Sequence, residues 1–198
     1  MNRDDGRLKR AFAIFDTMHE EDPTRRPSEE KQVSASLFYH HYVSQWIERL
    51  SPNASIALRL AARSQHIRRW LIPRQTYPMN KQGYKNWRTS LLQFHAETAA
   101  TVLLKVGYDA RTVTRVQQLL RKERLRLDPE VQHLEDAVCL VFLEIQLANF
   151  SKQHQEEKIL DILRRTWRKM SPLGHHLAFE LNLPQPVADL LRRAVSSS

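Results

Sequence analysis

The chain has 198 residues, of which 41% are hydrophobic and 27% charged, with a formal net charge of +9. This length is sufficient for one full hydrophobic core, so we expect a single domain. Four glycines and one cysteine exclude a glycine-rich phosphate loop, an internal disulfide and a cysteine zinc cluster.

The sequence predicts an all-α fold, because long runs rich in Leu, Arg, Gln, Glu and Ala carry apolar residues at helical spacing. A first helix from Leu8 to Met18 is followed by a polar exposed loop from His19 to Gln32, and no segment indicates a convincing strand. We expect about seven to nine helices in one bundle. The later predicted helices are 34–50, 53–70, 81–105, 109–122, 128–143, 152–170, 173–181 and 186–195.

Four positions indicate where these helices begin or end. Ser51 before a proline predicts the start of the third helix, and Gly107 predicts the end of the fourth. Asp109 and Asp128 are predicted to cap the two helices that follow. The helix after Asp128 enters an apolar run and should be the central buried one, with Cys139 as an inert buried thiol.

The stretch that ends at Pro73 contains the first candidate functional residues. On a helix, Arg59, Arg63, His66 and Trp70 fall at intervals of four, three and four, so we expect them along one face. Nitrogen-bearing side chains on one face predict a pocket for an anion, with or without a metal.

A second set of candidates differs from its apolar surroundings. Asp136 enters an apolar run, where a carboxylate is costly to bury unless it is paired, hydrogen-bonded or metal-bound. His66, His95 and Asp136 together would suit divalent iron, manganese or zinc. The alternatives are that the histidines are hydrogen-bonded core residues and that Asp136 pairs with Arg63 or Arg88.

If a metal is bound, the expected chemistry is hydrolysis by a metal-activated water. Glu97 or Glu135 would relay the proton. Guanidinium groups would hold the phosphate, and we expect at most two of the four candidates to reach the pocket. The four are Arg63, Arg69, Arg74 and Arg88.

Ordered motifs carry a resemblance over about half of the chain. They are Ala-Arg-Ser-Gln-His-Ile-Arg-Arg-Trp with Ile-Pro-Arg and Tyr-Pro, Trp87-Arg88-Thr89, Phe94-His95-Ala96-Glu97, Gly107-Tyr108, and Asp128-Pro129-Glu130-Val131-Gln132 leading to Leu134-Glu135-Asp136. On these motifs the span from Leu58 to Glu144 resembles the uncharacterised domain-of-unknown-function 4202 family. That family brings little biochemistry.

A looser resemblance is to the HD superfamily of helical metal-dependent phosphohydrolases. His66 is similar to the histidine of the paired motif, His95 to a later histidine, and Asp136 to the distal aspartate. Ile67 stands where the paired aspartate belongs, and the family's first histidine is missing unless His40 or His41 serves, so the full two-metal set is absent. Two alternatives follow: the chain binds one metal through His66, His95 and Asp136, or it has lost the metal and kept the pocket. The resemblance implies an HD-like core over 34–150, between an N-terminal segment 1–33 and C-terminal helices 151–198.

Two function classes follow from these observations. The first is a metal-dependent HD-like hydrolase acting on an anionic, phosphorylated small molecule such as a nucleotide, with an iron-dependent oxygenase as a variant. The second is a non-catalytic basic protein that binds RNA or a protein partner, since its charge attracts polyanions, although a merely solubilising surface would look the same. With no secretory signal and no apolar run of about 20 residues, we expect a cytoplasmic protein without membrane contact.

Overall fold

A computed structural model of the chain describes residues 3–27 and 32–196. Within these residues the fold is all-α, as predicted, with ten α-helices and one small hairpin. The helices are α1 Arg3–Glu20, α2 Ala35–Leu50, α3 Ile56–Ser64, α4 Lys81–Val106, α5 Ala110–Leu120, α6 Pro129–Val141, α7 Leu147–Ser151, α8 Glu156–Trp167, α9 Pro172–Phe179 and α10 Gln185–Val195. The hairpin strands are β1 Arg25–Pro27 and β2 Gln32–Ser34.

The packing of the helices divides the chain into two compact units. The first unit comprises Met1–Gln45 and Asn53–Glu123, and the second comprises Trp46–Pro52 and Arg124–Ser198. An HD-like core bounded at residues 34 and 150 stays a prediction. None of the helices in the described part of the chain combines the length and apolar character that a membrane crossing requires.

In the first unit, α4 packs against α1 and α5, and α3 contacts all three of these helices. Their apolar faces meet in a core that includes Phe15, Leu60, Leu91 and Leu103, all almost fully buried. Removing such side chains from water is the main favourable contribution to folding. This core supports the segment between α3 and α4, where the candidate site lies.

Helix ends in the first unit follow capping chemistry, with one error in our prediction. Gly107 ends α4 at φ 91° in the left-handed region, and Asp109 accepts a hydrogen bond from the backbone of Thr112, as expected for a cap. The start predicted at Ser51 is wrong, because the Oγ of Ser55 accepts the hydrogen bond from the N–H of Leu58 and α3 begins after it.

The segment after α1 is not the plain exposed loop that we predicted. Its strands pair antiparallel, with Arg25 opposite Ser34, and residues 28–31 lie outside the described part of the chain. His19, expected in the loop, belongs to the last turn of α1 and is fully buried. The hydroxyl of Ser34 donates to the His19 carbonyl at 2.7 Å and accepts from the Leu37 N–H, which anchors the start of α2.

In the second unit, α6 is the buried central helix that the sequence predicts, capped by Asp128 with Pro129 in its first turn. It continues through a π-helical turn, Phe142–Gln146, into α7. Within that turn Glu144 accepts a 2.7 Å hydrogen bond from the indole N–H of Trp46. The α8 helix packs on α10, and α9 packs on α6. Cys139 is buried and forms no disulfide.

Candidate functional site

The chain leaves α3 in a tight, hydrogen-bonded turn. The helix ends at Ser64, whose carbonyl accepts from the N–H of Ile67, and the carbonyl of His66 accepts from the N–H of Arg69. Arg68 has φ 50°, a left-handed conformation that costs a non-glycine residue about 1 kcal/mol or more. The prediction of a helix through Trp70 is therefore wrong, because the left-handed residue ends the helical phase well before Pro73.

Two stacked histidines hold this turn from one side. The rings of His19 and His40 lie 3.7 Å apart and nearly parallel. His19 Nε2–H donates to the carbonyl oxygen of Arg63 at 2.8 Å, and the backbone N–H of His66 donates to Nε2 of His40 at 3.1 Å. The hydroxyl of Ser36 donates to His19 Nδ1, and its carbonyl accepts from His40 Nδ1. These partners occupy both nitrogens of each ring, so these two histidines position the turn.

His95, on α4, holds the turn from the other side. Its Nδ1–H donates to the carbonyl oxygen of Ile67 at 2.9 Å, so Nε2 carries the lone pair. That Nε2 atom is buried and has no hydrogen-bond partner. The ring of His66 lies beside it, with 5.7 Å between ring centroids. We call His66 and His95 the imidazole pair.

Both rings of the imidazole pair are neutral at physiological pH. Burial, more than any other cause, lowers the pKa of His66 well below its usual value, and the charges of Arg69 and Lys122 lower it further. The pKa of His95 falls to about 3, again chiefly through burial, with contributions from Arg69 and Arg88. The pair therefore lies in an electropositive environment.

Three of the four predicted phosphate-binding arginines form no ion pair with an acid in the described part of the chain; Arg74 is one of them, but its donors bind backbone carbonyls. Within the described part of the chain, neither Arg69 nor Arg88 forms an ion pair with a carboxylate. Burial and the nearby charge of Arg88 lower the pKa of Arg69. The Arg69 guanidinium lies over the ring of Trp87, 4.8 Å from its centroid, which keeps this side chain on the α4 side of the turn.

The other two arginines serve the local structure. Arg63 binds the carboxylate of Asp16 through Nε at 2.6 Å and Nη2 at 2.7 Å, a bidentate pair. Arg74 donates to the carbonyl oxygens of Tyr77 and Pro78 and thereby folds the loop before α4. The carboxylate of Asp16 neutralises the charge of Arg63, and the donors of Arg74 are used by backbone carbonyls.

Of the two predicted proton-relay carboxylates, Glu97 belongs to the same unit as the imidazole pair and Glu135 to the other. Glu97 is exposed and accepts a hydrogen bond from the amide of Gln93. It follows His95 by two residues, about 200° around the helix, so the two side chains leave α4 on opposite faces. Glu135 belongs to the second unit, where it is buried with the ammonium of Lys169 at 3.7 Å.

Asp136, also in the second unit, is fully buried and satisfied by hydrogen bonds. Its carboxylate accepts from the N–H and hydroxyl of Ser171, at 2.8 and 2.6 Å, and from the amide of Gln132 at 3.0 Å. A Cβ atom on Gly174 would lie 2.8 Å from the same carboxylate. Of the ways we considered to bury this charge, the structure uses hydrogen bonding.

The residues fit the predicted metal centre only in part. The His95 ring, oriented by a backbone carbonyl and presenting a free Nε2, has the usual arrangement of a ligand. Across residues 3–27 and 32–196, however, no group of three His, Cys, Asp or Glu side chains is placed to hold a metal ion. The centre formed by His66, His95 and Asp136 therefore stays a prediction.

Sequence reasoning did not find the role of His19 or the burial of Gln65. Proline and charged residues follow His19 closely, and this pattern predicts a loop at that position. Gln65 is buried, and neither atom of its amide has a hydrogen-bond partner. For His40, the helical period did indicate that only one of the adjacent histidines could face inward, and His40 is buried whereas His41 is exposed.

A family model described as "Domain of unknown function (DUF4202)" matches residues 9–191. The chain belongs to this family. The matched span contains His19, His40 and His95 and the turn that these three residues hold. Comparison with curated proteins and with solved structures gives no match.

Proposed function

We propose that this DUF4202 protein is a hydrolase that binds the phosphate group of an anionic small molecule at the imidazole pair. The observation that carries the proposal is the unpartnered, buried Nε2 of His95 beside two arginines that have no acidic partner. Unpaired buried polar atoms are rare in proteins, and a bound ligand is one of the ways in which they are satisfied.

The charge around the pair favours a phosphorylated ligand. Arg69 and Arg88 repel each other, and a phosphate dianion between them would remove that repulsion. Guanidinium groups bind phosphate oxygens with two parallel hydrogen bonds, which fixes orientation as well as charge. Lys122, whose charge also acts on His66, adds to the attraction.

The pair can supply acid–base chemistry to such a ligand. A bound phosphate dianion would offset the arginine charges and raise the pKa of His95 towards the range useful for a general base. Nε2 of His95 would accept a proton from a water that attacks phosphorus, and would return that proton to the alkoxide when the ester P–O bond breaks. A divalent ion, the cofactor implied by the HD resemblance, would be held by His66 and by this same Nε2 of His95. In that case the ion would lower the pKa of a bound water, and His95 would act as a ligand instead of a base.

The test is hydrolysis of a panel of phosphomonoesters, nucleoside monophosphates included, with and without added iron, manganese or zinc. We expect phosphate release that falls at least about tenfold in Arg69→Gln, because a hydrogen bond to a charged group contributes about 1.5–3 kcal/mol. His95→Gln should fall similarly. The matched control is Arg10→Gln, which removes the same charge from an exposed position on α1.

Two results would reject this function. One is full hydrolysis by folded Arg69→Gln and His95→Gln variants. The other is the absence, under every metal condition, of both hydrolysis and inorganic phosphate binding by the parent protein.

A further inference from the structure

The second unit presents an aromatic ladder formed by Trp167, His175 and Phe179. The Trp167 and His175 rings stack at 3.8 Å with an angle of 7°, and the His175 Nε2–H donates to the Trp167 carbonyl at 2.9 Å. Phe179 meets the indole edge to face at 5.2 Å and is 57% exposed. The ladder is therefore fixed by its own contacts and ends in an exposed ring.

Three arginines near the ladder have no acidic partner within the described residues. Arg164 and Arg168 flank Trp167 in sequence, and Arg126 donates to the Arg168 carbonyl at 3.0 Å. Arg165, by contrast, pairs with Asp161 at 2.7 Å on the same helix. Arg126 and Arg168 are exposed and Arg164 is half-buried, and arginines without counter-charges attract a polyanion.

We propose that the ladder and these three arginines bind single-stranded nucleic acid. Phe179 would stack on a base, and Arg126, Arg164 and Arg168 would contact the phosphates. Aromatic rings beside a row of cations are the combination that binds single strands without reading sequence, because every base has a face that can stack. The acid nearest in sequence, Glu180, contacts the imidazole of His176 at 3.2 Å.

A single strand fits this surface better than a lipid bilayer or a duplex does. A bilayer would need a continuous apolar face, whereas the exposed large apolar side chains of this unit, Leu127, Leu173 and Phe179, are single residues separated along the chain. A duplex hides the base faces, so Phe179 would have nothing to stack on. The proposal shares no residue with the phosphate site at the imidazole pair.

The experiment is fluorescence anisotropy of a labelled 12-nucleotide single-stranded RNA with the full chain, over a range of salt concentrations. We expect affinity to fall as salt rises, with a logarithmic slope of about 2 for three phosphate contacts. Phe179→Ala should weaken binding about tenfold through lost stacking. Phe179→Leu, which keeps an apolar group, should weaken it similarly.

Arg168→Gln should reduce the salt slope by about 0.7. Arg165→Gln is the matched control, since it removes the same charge from a paired residue on α8, and it should leave affinity and slope nearly unchanged.

The proposal is overturned if the parent chain binds no RNA at low salt, or if folded Phe179→Ala and Arg168→Gln variants bind as tightly as the parent. Binding to anionic vesicles without binding to RNA would also overturn it. Any of these outcomes leaves the hydrolase proposal untouched, because phosphate release by the same samples is measured separately.

Discussion

The backbone N–H of His66 donates to Nε2 of the buried His40 across 3.1 Å, which ties the turn after α3 to α2. The other nitrogen of His40 donates to the Ser36 carbonyl, so the ring accepts the His66 bond only while it is neutral. Replacement by phenylalanine keeps the ring and removes both bonds. We expect His40→Phe to lower the free energy of unfolding by about 1–3 kcal/mol and to weaken phosphate binding at the pair, measured by urea unfolding and calorimetry. A variant as stable as the parent would contradict this role.

Acid should destabilise the protein through its buried histidines. The pKa is about 4 for His19 and about 3 for His95, and burial also lowers it for His40 and His66. Because these values lie below 6.5, the unfolded chain binds protons first. The stabilisation is complete above the unfolded pKa and is lost as pH falls below about 6.5, at about 1.4 kcal/mol per pH unit for each histidine.

Urea unfolding at pH 7.5, 6.0 and 5.0 measures this loss. The dependence of the unfolding free energy on pH should become less steep in His19→Gln. His176→Gln, at an exposed position, should keep the pH dependence of the parent. Equal stability at pH 7.5 and pH 5.0 would refute the assignment of neutral histidines.

Arg63 and Arg69 should separate stability from activity. Arg63→Met leaves the carboxylate of Asp16 without its bidentate partner, so we expect unfolding to become easier by about 1–3 kcal/mol. Arg69→Met removes repulsion with Arg88 and should leave stability unchanged or slightly higher, while hydrolysis is lost. Thermal melting and phosphate release on the same samples decide the matter. If Arg63→Met lost hydrolysis and Arg69→Met lost stability instead, Arg69 would not be the phosphate-binding arginine.

Gly174 is required by its approach to Asp136. An alanine Cβ would lie 2.8 Å from the carboxylate oxygen and displace it from Ser171, so Gly174→Ala should destabilise the protein by about 1–3 kcal/mol. Gly6→Ala is the control, because nothing lies within 4 Å of the added carbon. Within helix α1 that control should stabilise by about 0.5–1 kcal/mol. Equal effects of the two substitutions on urea unfolding would contradict a close contact between a Cβ atom at residue 174 and the Asp136 carboxylate.

The helices were predictable from sequence because period and caps agree within them. The end of α4 at Gly107 and the caps of α5 and α6 rest on local chemistry that a single sequence displays. The end of α3 could not be predicted in this way, because Arg68 adopts a left-handed conformation without being a glycine. The conformation of Arg68 follows from hydrogen bonds to the turn that come from helices distant in the sequence.

The candidate site was predictable in its residue types rather than in its partners. His66 and His95 were expected near each other and their rings are neighbours. The sequence could not assign Asp16 to Arg63 or Ser171 to Asp136, because both contacts join residues far apart in the chain. The chain has more basic than acidic side chains, and which of them pair depends on the positions that the folded backbone gives them.

The π-helical turn Phe142–Gln146 changes how this sequence should be aligned with others. A π turn accommodates about one more residue than the α-helical turn that it replaces, so Leu147 and the residues after it are rotated by roughly 100° relative to an uninterrupted helix. A family member whose helix runs through without this turn should be one residue shorter there. A single-residue gap between Val141 and Leu147 is then the correct alignment, and the two halves of the helix carry separate periodicities.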